Sequence, residues 1–426
     1  MNNDFRLKSV NYLLNGLTVG VVVGALVSAF RWIIEQQLSF VERLYILAHQ
    51  HHLLLLFILG ANIIIGLVVA VLIKENPNIK GSGIPQVKGQ LLGKIDYPYW
   101  SALWRKFVSG VLSIGSGLFL GREGPSIQIG STAAQGIAAF RNVDDELRRV
   151  IIAAGAAAGL SAAFNAPIAS SMFVLEEIYH RFPLKVWPTV LGAAAVSNFV
   201  STVAFGQQPA LHIVYQDAFP LGQYWHLIIL GCLLGLGGLV YQQSILYSGT
   251  LFKPFQKIPN YLWVLVPLVL ILPIGYFMPI TLGGGNQLIL AISKNVPSIS
   301  ILALYIVVRL VFATLSYGSG APGGFFLPIL AMGALLGATY GQIMVQLGLL
   351  PAPLVINLII FSMAAYFACI TKSVFTAVLL ITEMVGTVTE LMPLAITALI
   401  AYAVVDLFNG QPIYDQLLNN IIKKRG

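Results

Sequence analysis

One acidic residue of this chain lies where a membrane segment rarely carries charge. Glu123 stands within the sequence GREGP, residues 121–125, directly after the apolar run 111–120. Ionisable side chains at membrane depth are costly and usually have a function. The Gly and Pro residues around Glu123 predict a turn into a helix start, where free backbone N–H groups attract anions. The pattern therefore places a titratable acid at an anion site.

Two opposed effects act on the carboxyl group of Glu123. Burial disfavours its charged form, whereas a helix N-terminus and the adjacent Arg122 favour it. This balance can leave the group titratable near physiological pH, and its carboxylate then resembles the anion with which it competes. We expect Glu123 to act as a gate that occupies the outer anion site when deprotonated and moves away when protonated. The alternative is a structural ion pair between Glu123 and Arg122.

The composition excludes a soluble protein. Of 426 residues, 57% are hydrophobic and 9% are charged, and the mean hydropathy is +0.83, whereas soluble domains carry far more charge. Apolar stretches long enough to cross a bilayer recur at 12–30, 53–73, 186–205, 224–240 and 391–405. The first stretch is too long for a cleavable signal peptide and is expected to be the first span. We predict an integral, polytopic membrane protein.

The net charge of +8 does not indicate a nucleic-acid partner. The basic residues are scattered over loops or gathered at the two ends, as Arg6, Lys8, Lys423, Lys424 and Arg425. Basic residues next to membrane spans favour the cytoplasmic side. We therefore expect both termini in the cytoplasm and the protein in the inner (plasma) membrane of the cell.

Cysteine and histidine patterns indicate neither a metal nor a cofactor. Cys232 and Cys369 both stand in apolar surroundings, which suggests neither a disulfide framework nor a metal cluster. The six histidines share no metal-ligand spacing. We expect no metal site and no resident cofactor.

The chain matches itself at a nearly constant offset. Residues 81–83 correspond to residues 283–285 at an offset of 202. Gly121, Pro125 and Gly130 correspond to Gly324, Pro328 and Gly333 at an offset of 203. Ala157, Ala158 and Glu176 correspond to Ala364, Ala365 and Glu383 at an offset of 207. These matches predict two homologous halves, residues 1–210 and 211–426, without a separate soluble domain. Duplicated halves are typical of transporters, and spacing alone does not decide whether they are parallel or inverted.

Gly and Pro interrupt the apolar sequence at 81–85, 121–125, 165–167 and 318–328. Non-helical backbone at membrane depth lines a cavity or lies inside the protein. Each break that precedes an apolar helix leaves a helix N-terminus with about half a positive charge, and several such ends converge near the midplane of many transporters. Convergent positive ends favour a permeating anion, although isolated glycines also serve close helix packing.

These motifs resemble those of the CLC family of chloride channels and proton-coupled chloride transporters. The sequence contains GSGIP at 81–85, GREGP at 121–125 and GFFLP at 324–328 preceded by SGAPG, in order, followed by Tyr414 in the sequence QPIY. The resemblance covers nearly the whole chain. It implies an all-α integral membrane fold of two inverted-topology repeats with tilted, partly broken helices, and a homodimer with one ion pathway in each subunit.

The resemblance also implies roles for particular residues. Ser82, Tyr414 and the backbone N–H groups of Phe325 and Phe326 are expected to bind chloride. Glu177 matches the internal proton acceptor of the family's transporters, where its channels commonly carry a neutral residue. We therefore expect exchange of chloride for protons, with Glu123 and Glu177 as the proton-transfer groups. The alternative is a passive, voltage- or pH-gated chloride channel of the same fold.

Other acidic and basic residues are harder to interpret. Glu176 and its repeat partner Glu383 do not match the proton-transfer position and are expected to be structural. In some family transporters an acid stands at the position of Lys88 and neutralises the lysine equivalent to Lys106. The sequence itself shows no residue that compensates the two lysines here.

Three further expectations follow from the family patterns. Ser82 is typical of a chloride preference, since proline there accompanies nitrate preference, and fluoride exporters lack both this serine and the acid at Glu177. The chain ends 12 residues after Tyr414, from which we expect the compact prokaryotic transporter type. An intramembrane hydrolase, the alternative from another class, would need a histidine or lysine beside a nucleophilic serine, and the sequence places neither there. We therefore do not expect an enzyme.

Overall fold

The computed structural model describes residues 3–179, 186–213 and 218–423, with side chains from residue 11 onward. The prediction that both termini are cytoplasmic depends on five basic residues at the two ends. Of these, Lys424 and Arg425 lie outside the described residues, and so do the side chains of Arg6 and Lys8.

The described residues form seventeen α-helices. In chain order these are α1 Asn3–Ala48, α2 Leu53–Glu75, α3 Ile84–Leu91, α4 Tyr99–Gly115, α5 Glu123–Phe140, α6 Asp145–Phe164, α7 Pro167–Phe173, α8 Val186–Phe205, α9 Trp225–Leu246, α10 Leu265–Phe277, α11 Asn286–Lys294, α12 Ile299–Gly318, α13 Phe326–Gln346, α14 Val355–Thr371, α15 Val374–Val385, α16 Leu391–Leu407 and α17 Ile413–Lys423. Short 3-10 helices occur at Pro77–Ile79, Leu221–Gln223, Ser248–Phe255, Asn260–Val264, Pro279–Thr281 and Ala352–Leu354. The fold is all-α, as predicted.

Nine helical segments of the described chain are long and apolar enough to cross a bilayer. The predicted apolar stretches lie in α1, α2, α8, α9 and α16, of which α16 has only 17 residues. That length is at the short end of what spans a membrane. The predicted polytopic membrane protein is confirmed.

The helices divide into a buried centre and an apolar periphery. Helices α6 and α14 are almost wholly enclosed, whereas α8, α10 and α12 bury about a third of their residues or less. Small residues allow the close packing at the centre, since a Cβ added at Gly155 or Gly159 of α6 would collide with the backbone of α5. The exposed faces of the outer helices are apolar because they face lipid rather than water.

Each of the four predicted chain breaks precedes a helix start. Helix α3 begins at Ile84, α5 at Glu123, α7 at Pro167 and α13 at Phe326. The backbone N–H groups of these first turns have no acceptor within their own helix. A helix N-terminus is therefore present at each predicted break.

The two inverted-topology repeats cap each other through equivalent acids. Glu383 of the second repeat accepts a hydrogen bond from the backbone N–H of Ala169, at the start of α7, at 2.8 Å. Glu176 of the first repeat accepts one from the backbone N–H of Thr376, at the start of α15, at 2.8 Å. A carboxylate at a helix N-terminus satisfies free donors and the helix dipole. Both acids are structural, as expected.

Candidate ion-binding and proton-transfer site

The loop before α3 places Ser82 at a helix start. Gly81 and Gly83 have φ values of +60° and +88°, a left-handed conformation that glycine adopts without strain. The two glycines turn the chain so that Ser82 is buried and its Oγ accepts a hydrogen bond from the N–H of Ile84 at 3.3 Å. The Ser82 hydroxyl therefore keeps its proton available for an acceptor such as an anion.

The starts of α3, α5 and α13 come together at this serine. Gly124 in the first turn of α5 packs so closely that a Cβ there would lie 2.8 Å from the Cβ of Ser82. Gly121, just before α5, exchanges two backbone hydrogen bonds with Gly324, just before α13, at 2.6 and 2.7 Å. This pair is the isolated antiparallel bridge of the described chain. Three helix N-termini, one from each motif, thus meet in the protein interior.

Glu123 is fully buried at the first position of α5. Its carboxylate folds back against Gly121, and the backbone N–H groups of Glu123 and Leu327 are its nearest donors. Neither donor has the geometry of a hydrogen bond to the carboxylate, whose two oxygens lack a partner among the described residues. The acid therefore lies between the starts of α5 and α13, where an anion would also bind.

Arg122 does not form the alternative ion pair with Glu123. Its guanidinium bonds Glu35 of α1 at 2.5 Å, and Glu35 also accepts from Arg31 at 3.0 Å. The cluster of Arg31, Glu35 and Arg122 fixes this arginine beside a cavity of about 220 Å³, which Gly121 and Asn286 also line. The carboxylate of Glu123 is left without a bonded cation among the described residues.

Tyr414 is buried in the first turn of α17. Its ring stacks on Phe325, with centroids 5.3 Å apart, and meets the edge of Phe173 at 6.0 Å. Its hydroxyl has no hydrogen-bond partner among the described residues. Because an unsatisfied buried donor costs about 1–3 kcal/mol, this hydroxyl is suited to a bound anion.

Tyr317 of α12 is a site residue that the sequence prediction missed. Its hydroxyl faces the side chain and backbone of Ser82, and its ring lies edge-on to Phe325 with centroids 4.9 Å apart. Ser82, Tyr317 and Tyr414 thus direct three hydroxyls to one region around Phe325. The sequence feature that could have identified Tyr317 is its position two residues before the SGAPG segment.

The side chains of Phe325 and Phe326 serve the aromatic core. Phe325 packs between Tyr317 and Tyr414, while Phe326 packs against Phe164, Phe173 and Phe367. Their backbone N–H groups belong to the first turn of α13 and have no acceptor in that helix. Only the backbone of these two residues is left to interact with an ion, and their binding of chloride stays a prediction.

Lys106 and Arg309 are buried cations at equivalent positions of the two repeats. Lys106 donates to the carbonyls of Ile79 and Gly81 at 2.8 and 2.6 Å, and Arg309 donates to those of Thr281 and Gly283 at 3.0 and 2.9 Å. Carbonyl oxygens accept these hydrogen bonds without cancelling the charge of a cation, and Nε of Arg309 has no partner among the described residues. The amino group of Lys106 thus lies beneath the Ser82 loop, where it donates to the carbonyl of Gly81. Arg309 was missed, although its offset of 203 from Lys106 could have identified it.

Glu177 is buried in the segment that follows the last residue of α7. Helix α7 continues as a π-helical segment, Val174–Tyr179, which contains both Glu176 and Glu177. The wider π turn carries Glu177 into the interior, where its Oε2 accepts from the Ser373 hydroxyl at 2.9 Å. Its Oε1 accepts from Lys88 Nζ at 3.1 Å.

Lys88 has the partners that sequence analysis could not supply. Besides Glu177, its Nζ pairs with Asp415 Oδ1 at 2.6 Å. The side chains of Lys88 and Glu177 are 1% and 2% exposed, whereas that of Asp415 is 33% exposed. Asp415 follows Tyr414 directly in the chain, so the ion pair adjoins the hydroxyl site.

The two buried acids lie on different sides of the hydroxyl cluster. Glu123 packs against Gly121, which lines the cavity beside Arg122, whereas Glu177 is connected through Lys88 to the partly exposed Asp415. Tyr414 is within electrostatic range of both Glu123 and Glu177. The arrangement can bind an anion in the middle and transfer protons at either side.

Comparison with known proteins relates the chain to ion transporters. Residues 65–406 match the family model described as voltage gated chloride channel. The H(+)/Cl(-) exchange transporter ClcA of Vibrio campbellii is 35% identical over 356 residues, which cover 82% of this chain and 75% of that protein. The ClcA exchanger of Salmonella paratyphi A is 32% identical over 423 residues, covering 96% and 89%.

A solved structure shows the same architecture over nearly the whole chain. The crystal structure of a slow cyanobacterial Cl-/H+ antiporter superimposes with a TM-score of 0.91 at 28% sequence identity, covering 97% of this chain and 98% of that one. The inverted-repeat arrangement of broken helices is therefore common to both proteins.

Proposed function

Because this chain belongs to the CLC family of chloride channels and transporters, we propose that it exchanges chloride for protons across the membrane. One observation carries the proposal: two acids, Glu123 and Glu177, are buried near one group of helix starts and hydroxyls, and neither forms a hydrogen bond with Ser82, Tyr317 or Tyr414. A pathway for anions alone has no need of buried acids on both sides.

The anion route passes Ser82, Tyr414 and the backbone of Phe325 and Phe326. Hydroxyls and free helix N-termini are neutral donors, so they replace water around an anion without holding it as tightly as a bonded cation would. Lys106 adds positive charge from behind the backbone carbonyls of Ile79 and Gly81. Such a site binds chloride and still releases it.

The proton route joins Glu177 to Glu123 and shares only its outer part with the anion route. Deprotonated Glu123 lies between the starts of α5 and α13 and excludes the anion there. Protonation removes its charge, which weakens its hold on the helix N-termini and lets chloride take its place. Each exchange of carboxylate for chloride thus moves a proton in the opposite direction.

The antiport mechanism is favoured over a passive channel. A passive channel gives Glu177 no function. This acid is nevertheless buried, and both of its carboxylate oxygens accept hydrogen bonds. The similar ClcA proteins are named as H(+)/Cl(-) exchange transporters.

The same proposal includes the assembly and its orientation. We infer a homodimer with one pathway per subunit, in the inner membrane with both termini in the cytoplasm. Each subunit is organised as halves 1–210 and 211–426, and chloride is a transported ion rather than a cofactor. Cross-linking in native membranes tests the dimer, and thiol labelling of introduced terminal cysteines tests the orientation.

Transport in vesicles tests the function. Purified protein in proteoliposomes, given an outward chloride gradient and no pH gradient, should pull protons into the vesicles against the pH difference that develops. Chloride efflux without uphill proton movement would reject the exchanger and support the channel.

A further inference from the structure

Lys88 joins the buried acid Glu177 to an acid that reaches solvent. Its Nζ lies 3.1 Å from Glu177 Oε1 and 2.6 Å from Asp415 Oδ1. The side chains of Glu177 and Lys88 are only 2% and 1% exposed, whereas that of Asp415 is 33% exposed. The three side chains form a continuous polar path from the interior of the protein to its surface.

The charges in this group make it a place for one proton. Two carboxylates and one ammonium give a net charge of −1 when all three are ionised. An excess negative charge is costly where Lys88 and Glu177 are enclosed, and one added proton makes the group neutral. The proton is therefore bound by the three residues together rather than by Glu177 alone.

We infer that Asp415 is the solvent-facing proton donor and acceptor of the transporter and that Lys88 relays the proton between Asp415 and Glu177. This inference rests on the proposed exchange of chloride for protons. It adds two positions to the proton route that the motifs do not identify. In the exchange cycle, Asp415 loads Glu177 from the aqueous side, and Glu177 then serves the inner part of the route.

The relay balances in three transfers. The Asp415 carboxylate takes a proton from water. Lys88 gives a proton from Nζ to the Glu177 carboxylate. The neutral Lys88 amine then takes the proton from Asp415, whose new O–H bond breaks. The end state has Glu177 protonated, Lys88 again an ammonium and Asp415 again a carboxylate. One proton has moved from water to Glu177, and the reverse sequence releases it.

The other groups around Glu177 hold it in place for this transfer. Ser373, just before α15, donates its hydroxyl to Oε2 of Glu177 and leaves Oε1 for Lys88. Tyr414 is within electrostatic range of Glu177. Lys88, Asp415, Ser373 and Tyr414 thus face the acid from α3, α17 and the turn before α15.

The position of Asp415 connects the relay to the anion site. Asp415 and Tyr414 are consecutive residues in the first turn of α17. A shift of this turn that accompanies anion binding at Tyr414 would also change the distance between Asp415 and Lys88. The structure therefore offers a direct physical link between the two transported ions at their aqueous side.

The test is paired measurement of proton and chloride flux in proteoliposomes for the wild type and for Asp415→Asn. Asparagine keeps the shape of the side chain but cannot carry the proton. We expect proton flux to fall about tenfold or more, as for the loss of a proton-transfer group, while chloride flux stays within about twofold of the wild type, since hydroxyls and backbone bind the anion. Asp415→Glu should restore the proton flux.

Asp406→Asn is the matched control. Asp406 is also an exposed acid paired with a lysine, Lys372, at 2.8 Å, and it lies nine positions before Asp415 in the chain. It has no contact with Glu177 among the described side-chain pairs. This variant should keep both fluxes and their ratio.

A second variant, Lys88→Met, tests the relay if Asp415→Asn no longer transports chloride. It too should lose proton flux and keep chloride flux. A wild-type ratio of the two fluxes in either variant overturns the relay. Loss of chloride flux in both variants overturns it as well, because anions do not need a proton relay. If instead the wild type itself fails to move protons uphill, the proposed function is rejected.

Discussion

Gly121 and Gly324 exchange two backbone hydrogen bonds, at 2.6 and 2.7 Å, and so bind the two repeats to each other beside the proposed anion site. One residue precedes the helix that begins with Glu123, and the other precedes the helix that begins with Phe326. The repeat equivalent of Glu123, the proposed gate, is thus the aromatic residue Phe326, whose backbone N–H lies at the start of α13. One half supplies backbone donors, and the other adds a titratable side chain.

Glu123→Gln should uncouple the two ions. Glutamine resembles a permanently protonated glutamate, so it does not compete with chloride for the helix starts. We expect chloride flux to continue without its pH dependence and proton flux to disappear. Parallel chloride and proton electrodes on proteoliposomes at several pH values measure this. Uphill proton movement by the variant would refute the gate.

Glu177→Gln should remove proton transport while anions still cross. The side chain is buried and bound by Lys88 and Ser373, away from the helix starts that hold the anion. We expect the proton to chloride flux ratio to fall toward zero. If chloride flux collapsed while protons still moved, the assignment of Glu177 to the proton route would be wrong.

Glu176→Gln is the neighbouring control and tests the caps between the repeats. Glu176 accepts two hydrogen bonds from Thr376, through its N–H and its hydroxyl, and Glu383 caps α7 in the same way. Loss of a helix cap costs about 0.5–2 kcal/mol. Thermal unfolding in detergent should therefore shift downward for Glu176→Gln and for Glu383→Gln, with an unchanged flux ratio. A normal melting temperature combined with lost coupling would assign these acids to the proton route instead.

Tyr317→Phe should weaken chloride binding. The substitution removes only the hydroxyl that faces Ser82, and a neutral hydrogen bond contributes about 0.5–1.5 kcal/mol. We expect the chloride dissociation constant to rise by about two- to tenfold. Isothermal titration calorimetry can measure it, with Tyr305→Phe on the same helix as the control. Equal affinity in the wild type and Tyr317→Phe would exclude this hydroxyl from the site.

Gly124→Ala should damage the anion site through packing alone. The added Cβ would lie 2.8 Å from the Cβ and carbonyl oxygen of Ser82, whereas a Cβ at Gly60 of α2 meets nothing within 4 Å. We expect Gly124→Ala to lose chloride binding or folding, and Gly60→Ala to keep both. Calorimetry and gel filtration separate the two effects. Wild-type binding by Gly124→Ala would show that α5 and the Ser82 loop are not closely packed at this point.

The parts of the fold that could be predicted from sequence are those with a local cause. Gly and Pro determine where a helix starts, so the breaks before Ile84, Glu123, Pro167 and Phe326 were evident from sequence. Burial in lipid makes spans apolar, so the membrane class was evident as well. The residue types within these breaks also indicated Glu123, whereas Ser82 was indicated by the resemblance to the family.

The remaining site residues depend on contacts between distant parts of the chain. Lys88 and Asp415 are 327 positions apart, and no local pattern brings them together. The π-helical segment that buries Glu177 has no signature in its own residues. Arg309 could have been found from its offset to Lys106. The two side chains differ, however, and only their equivalent carbonyl partners in the structure identify them as repeat equivalents.

The reversal potential tests the exchange of chloride for protons most directly. With a fixed chloride gradient across proteoliposomes, the voltage at which net flux stops is measured at several pH gradients. An exchanger must stop at a voltage that shifts with the pH gradient, since protons carry part of the charge, and Glu177→Gln should remove the shift. A voltage that stays at the chloride equilibrium potential whatever the pH gradient would contradict the account and identify a passive chloride pathway.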